Sequence, residues 1–142
     1  MSLARRYAKP VAAGLVLAGC LFFAYMMLVV PFEAQTFGFD AFAYWSVSMP
    51  DPYVEAVGAL GTFNYAPPIA QLAQYLSAVD FWVFLWLWTW LLIGSVVWIA
   101  GSPTWVLVAF AIPFVSLELY HGNINILLAV AIVLGFKHPW TW

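Results

Sequence analysis

The sequence predicts an all-α integral membrane protein, a helical bundle of three to four transmembrane segments with an outer-face loop bearing short amphipathic helices. Three observations predict it. Hydrophobic residues make up 66% of the 142 and charged residues 7%, with a mean hydropathy of +0.97, whereas soluble domains average about a quarter charged. Two uncharged runs, 11–30 and 81–100, are long enough as helices to cross roughly 30 Å of hydrocarbon. The basic residues stand at the ends of apolar runs, which is what fixes topology in a membrane. All of 1–142 reads as one membrane domain.

Arg5, Arg6 and Lys9 precede the first span, so the positive-inside rule makes 1–10 a cytoplasmic tail of a multi-pass cell-membrane protein. Leu17, Ala18, Gly19 and Cys20 look like a lipoprotein cleavage box, but Leu21 to Val30 stays apolar where a mature lipoprotein turns polar. The run is therefore read as an uncleaved span, and Cys20, the single cysteine, as a small packing residue.

The outer loop, 31–80, carries Glu33, Asp40, Asp51 and Glu55 and no Lys or Arg. Its first half interleaves acids with Phe37, Phe39, Phe42, Tyr44, Trp45 and Tyr53, the pattern of a segment at headgroup level. Pro50 and Pro52 break any helix begun at Asp40, and Gly58 and Gly61 loosen the stretch that leads to Phe63, Asn64 and Tyr65. Pro67 and Pro68 open a short interfacial helix over 68–77, with Ile69, Leu72, Ala73 and Leu76 at helical spacing. Ser77 and Asp80 stand where caps of the next helix belong, so Asp80 is read as a helix-start residue.

The second span, 81–100, sets Trp82, Trp86 and Trp90 on one face, as lipid-facing or packing aromatics. Gly101, Ser102 and Pro103 turn the chain in the cytoplasm. A third span over 104–117 and a fourth over 124–136 come next, both short; 105–117 is only about 20 Å long as a helix. The connection from Glu118 to Asn125 is thus expected to be recessed into the outer leaflet, where protein or water must satisfy its backbone. Pro113 predicts a kink just below it. Lys137 and His138 then return to the cytoplasm.

Two polar groups face the outer side: Asp40 with its neighbours, and Glu118, His121, Asn123 and Asn125. Carboxylates in so apolar a chain point to chemistry or recognition. Each group has a plainer reading, Asp40 as a helix cap or interface residue and the second group as caps of two short helices. A carboxylate and an imidazole can ligate a divalent ion, but no ligand spacing is matched, and no metal or cofactor is assigned. Ser116 lacks an orienting partner for a nucleophilic triad, and phosphate-binding glycine loops are absent. Four basic residues split between helix ends exclude nucleic-acid binding.

Residues 38–45 (GFDAFAYW), 63–68 (FNYAPP) and 121–128 (HGNINILL), in that order and on one side of the membrane, resemble the N-terminal half of glycosyltransferase family 87. The resemblance covers nearly the whole chain. It implies a multispanning hexosyltransferase, mannosyltransferase-like, that takes its sugar from a polyprenyl-phosphate donor. Transfer to a lipid or glycan acceptor would occur on the outer membrane face. It implies that Asp40 is the general base. Tyr44, Tyr65, Glu118, His121, Asn123 and Asn125 are the residues expected to hold the sugar or the acceptor. Family members are several times longer. No Lys or Arg stands on the outer side to stabilise a departing lipid phosphate, so the site is expected to be completed by further chain or a second polypeptide. This chain alone is expected to be inactive. The alternatives are a non-catalytic small membrane subunit that docks a partner through its outer loop, and a piece of a transporter or channel. The latter needs acids at the bilayer midplane, where this topology puts none.

Overall fold

The computed structural model describes residues 3–47, 51–54, 59 and 61–138, and among these every regular element is a helix. Two helices, Tyr7–Ala34 and Phe81–Ala100, are long and apolar enough to cross a membrane; a bent pair later in the chain makes a third if counted as one. Pro50, Glu55 and Gly58 lie outside the described residues.

Helix α1 (Leu3–Leu28) starts well before residue 11, with Pro10 inside it. A short helix α2 (Val30–Ala34) comes next, with Pro31 in its first turn, and Gln35 ends it at φ 53°. Helix α3 (Phe39–Trp45) begins after Gly38, whose φ of 74° belongs to the left-handed region that glycine enters without a Cβ penalty. The interfacial helix expected over 68–77 is shorter: α4 (Pro67–Ala73) gives way to a single 3-10 turn, Leu76–Ala78. Ser77 does not cap the next helix but donates to the Gln74 carbonyl at 3.0 Å. Asp80 does cap it, accepting from the Trp82 and Val83 N–H groups at 2.9 and 3.4 Å at the start of α5 (Phe81–Ala100). Along α5, Phe84, Leu85, Leu92 and Val96 are buried, while Trp82, Trp86 and Trp90 are 65%, 65% and 62% exposed and form the outward aromatic face.

The span expected over 104–117 is two helices, α6 (Pro103–Phe110) and α7 (Pro113–His121), meeting at 76°. Pro113 has no N–H for the helical ladder, and its ring pushes the preceding residue out of the helical region. Ile112 is accordingly extended, at φ −80° and ψ 117°. Because α7 runs on to His121, Glu118 and His121 are helical, and the recessed connection shrinks to Gly122, Asn123 and Ile124 before α8 (Asn125–Lys137).

The bent pair organises the packing. Helix α1 lies on α6 and α7, and α5 lies on α6, α7 and α8, while α1 and α5 scarcely touch. Helix α1 comes close against the bend at Gly19, where a Cβ would overlap the Ala111 carbonyl; glycine lets backbones come together there. One core joins α5 to α7 and α8 through Leu92, Val96, Leu119 and Ile126. The other holds α3 and α4 against the start of α5 through Ala41, Tyr44, Phe63, Ala70, Phe84 and Leu85.

Candidate functional site at the junction of α3, α7 and α8

The site is built where the end of α7 meets the start of α3. The Gly38 N–H donates to the Tyr120 carbonyl at 2.8 Å, and the Thr36 and Tyr120 hydroxyls lie 2.6 Å apart. These bonds set the first turn of α3 beside the 122–124 connection. There the backbone is satisfied group by group. Gly122 and Asn123 N–H bond the Leu119 and Glu118 carbonyls, Trp88 Nε1 donates to the Gly122 carbonyl at 2.7 Å, and the Ile124 N–H donates to the Tyr44 hydroxyl at 3.3 Å. Gly122 is buried, at φ 70°, and an added Cβ would stand 2.7 Å from Ala41 Cβ. The bonded backbone is what polar chain buried in an apolar protein requires.

Asp40 does not cap α3, which has no side-chain cap. Its Oδ2 instead accepts from Asn123 Nδ2 at 2.9 Å, across 83 residues of sequence. Asn123 Oδ1 accepts from the Tyr65 hydroxyl and from the Asn125 N–H, both at 3.3 Å, so Asn123 also serves the first turn of α8. Tyr65 in turn accepts the Tyr44 proton at 2.7 Å, and the two rings pack 5.2 Å apart. Asn125 Nδ2 donates to Glu118 Oε1 at 3.2 Å, whereas Glu118 Oε2 is buried and has no partner among the described residues. His121 packs edge-on against Tyr120, centroids 5.1 Å apart, and its imidazole makes no hydrogen bond among the described residues.

Asp40, Tyr44, Tyr65, Asn123, Asn125 and Glu118 thus belong to one continuous network, with His121 at its margin. Tyr44 is 1% exposed and its hydroxyl is engaged on both sides, so it faces the protein rather than an open cleft. The other acids of the 31–68 segment are elsewhere. Asp51 accepts from the Tyr53 N–H in a local turn, Glu33 is exposed on α2, and Glu55 lies outside the described residues. The sequence gives no site role to Trp88, to Tyr120 or to Tyr53, whose hydroxyl bonds the Tyr65 carbonyl at 2.6 Å. A Trp in mid-helix carries one polar atom that needs a partner when buried, and that was the available signal for Trp88.

Burial, followed by the bond to Tyr65 and the nearby Asp40 charge, holds the Tyr44 hydroxyl far above the ordinary tyrosine range. Burial also raises Tyr65, with the Asp40 and Glu118 charges adding to it and the Tyr44 bond opposing. Both carboxylates therefore act on one hydroxyl. The described Lys side chains belong to the opposite helix ends: Lys9 early in α1, and Lys137 at the end of α8, stacked 5.0 Å from the Trp98 ring. Among the described residues no three His, Cys, Asp or Glu side chains gather where they would hold a metal ion.

Beside the network, α1 and α5 leave an apolar cleft of about 480 Å³. Phe23, Met27, Trp86, Trp90 and Ile93 are among its lining residues, and so is Phe37, three residues before Asp40. Compared with known protein families, curated proteins and solved structures, the chain matches none.

Proposed function

We propose that this chain carries the acceptor-activating half of a membrane hexosyltransferase that uses a polyprenyl-phosphate sugar, with Asp40 as the general base on the outer face. The observation that carries the reading is the Asp40–Asn123 bond. It joins 38–45 to 121–128, and the Tyr65 bond to Asn123 brings in 63–68, so the three segments that resemble family 87 meet at Asn123. Asp40 Oδ2 is held by Asn123 and Oδ1 has no partner among the described residues, an arrangement suited to receiving a proton. As an acceptor hydroxyl attacks the anomeric carbon, its O–H proton passes to Asp40, the new C–O bond forms, and the bond to the lipid phosphate breaks with inversion. The cleft between α1 and α5 is of a size and polarity to receive an isoprenoid chain.

Among the described residues no Lys or Arg stands beside this network to stabilise a departing phosphate, and in this reading further chain or a second polypeptide would supply that group. The docking-subunit reading has less support, because two of the outer loop's aromatic side chains are engaged within the protein itself. Tyr44 is buried, and Trp45 Nε1 is turned to the Val79 carbonyl at 2.7 Å.

The test is transfer of labelled mannose from polyprenyl-phosphate mannose to endogenous acceptors. Membranes from source cells carrying the gene should transfer, membranes from cells deleted for it should not, and the purified chain alone should give no turnover. Equal transfer in deleted and intact membranes would refute the proposal.

A further inference from the structure

We infer that Tyr44, Tyr65 and Asn123 are positioning residues for Asp40, forming a hydrogen-bond chain that can run in only one direction. The inference rests on the reading of Asp40 as a base. It assigns the two tyrosines and the asparagine to the protein side of the site rather than to direct contact with substrate.

The direction is set at both ends by backbone N–H groups that cannot reverse, Ile124 at Tyr44 and Asn125 at Asn123. The Ile124 backbone N–H can only donate, so the Tyr44 oxygen accepts from it. Tyr44 has a single hydroxyl proton, and it goes to the Tyr65 oxygen at 2.7 Å. Tyr65 has a single proton as well, and it goes to Asn123 Oδ1, which also accepts the Asn125 N–H. With two donors on Oδ1, a flipped Asn123 amide would set its NH2 group against both of them. The amide is therefore locked with Nδ2 toward Asp40 Oδ2. Both tyrosine protons are spent within the chain, and the raised affinity of both hydroxyls for their protons keeps them there.

The device works because each member is fixed by something else. Tyr44 is wedged between the Tyr65 and Trp88 rings, at 5.2 and 5.5 Å. Tyr65 is held by its carbonyl to the Tyr53 hydroxyl and by its ring against Phe63. Trp88 also grips the Gly122 carbonyl, so one indole supports both ends of the chain. The titratable groups whose hydroxyls feel the Asp40 charge are Tyr44 and Tyr65, and Glu118 also acts on Tyr65.

The experiment tracks the side-chain amide of Asn123 by NMR in detergent-solubilised full chain labelled with 15N-asparagine. Asn64 and Asn125 are the other asparagines, and the Asn123 signal is identified by its loss in Asn123→Leu. Tyr65→Phe keeps the ring packing and removes one hydrogen bond. It should speed exchange of the two Asn123 amide protons about fivefold, the weight of one such bond, and Tyr44→Phe should do the same to a smaller degree. In the mannose-transfer assay, Tyr65→Phe should lower kcat about fivefold with KM unchanged. An unaltered Asn123 amide in Tyr65→Phe overturns the chain. So does a Tyr65→Phe enzyme whose KM rises at constant kcat, because that marks a substrate ligand. The base reading fails separately, by full transfer in Asp40→Asn, and the amide signal reports on the chain even then.

Discussion

Tyr44 puts a phenol in the centre of a core, and that placement governs its pH behaviour. Its proton is held more tightly folded than unfolded, where the ordinary value is about 10. Above about pH 10 the unfolded chain releases a proton that the folded chain keeps, so stability is full below that pH and falls as pH rises beyond it. Thermal midpoints should be flat across neutral pH and decline in alkali, and Tyr44→Phe should flatten the alkaline limb; an unchanged slope would refute the assignment. Gly122 has a sharper constraint. Alanine there would take φ 70° and bring its Cβ to 2.7 Å from Ala41 Cβ, costing about 2 kcal/mol. A melting curve of Gly122→Ala checks it, and adding Ala41→Gly should restore only the part due to the clash. At this scale the sequence made the residue types legible, since acids and amides in a greasy chain stand out. It did not make partners legible: Asp40 and Asn123 meet through packing that pairs positions 83 residues apart. Nor did spacing reveal that Tyr44 faces inward, because the seven residues of α3 make barely two turns, too few for a period to show.

Among the elements, α5 kept closest to its sequence. It is long and uninterrupted, its first turn is capped by Asp80, and Gly101 ends it at φ 70°. Asp80→Ala should cost about 1 kcal/mol and show as fraying of the first turn in amide exchange; no change in protection would remove Asp80 from that role. The third span departed most. Apolar content alone reads 104–117 as continuous, yet Pro113 acts on the residue before it as well as on its own ladder bond, and α6 and α7 part at 76°. That bend brings the Ala111 carbonyl against Gly19. Gly19→Val should push α1 off the bend and lower the melting temperature, whereas Gly14→Val, where a Cβ meets nothing within 4 Å, should leave it unchanged. Equal effects of the two would contradict the close packing of α1.

Over the whole molecule, two full-length apolar helices stand apart and a bent pair lies between them, so the polar network sits at one end and the described lysines at the other. This segregation is what composition and charge placement foretold, because burying apolar surface and stranding basic groups at helix ends are properties of whole segments. The cleft between α1 and α5 was not foretold, since it exists only because α6 and α7 hold both helices. The central claim is that Asp40, alone among the acids of its segment, takes the acceptor proton. It is tested most directly in source cells deleted for the gene and complemented with wild type, Asp40→Asn or Asp51→Asn at matched expression, by the rate of mannose transfer from polyprenyl-phosphate mannose in isolated membranes. The account predicts that Asp51→Asn transfers like wild type and that Asp40→Asn falls by about a hundredfold or more, the usual weight of a general base. Asp40→Asn membranes transferring at the wild-type rate would contradict it.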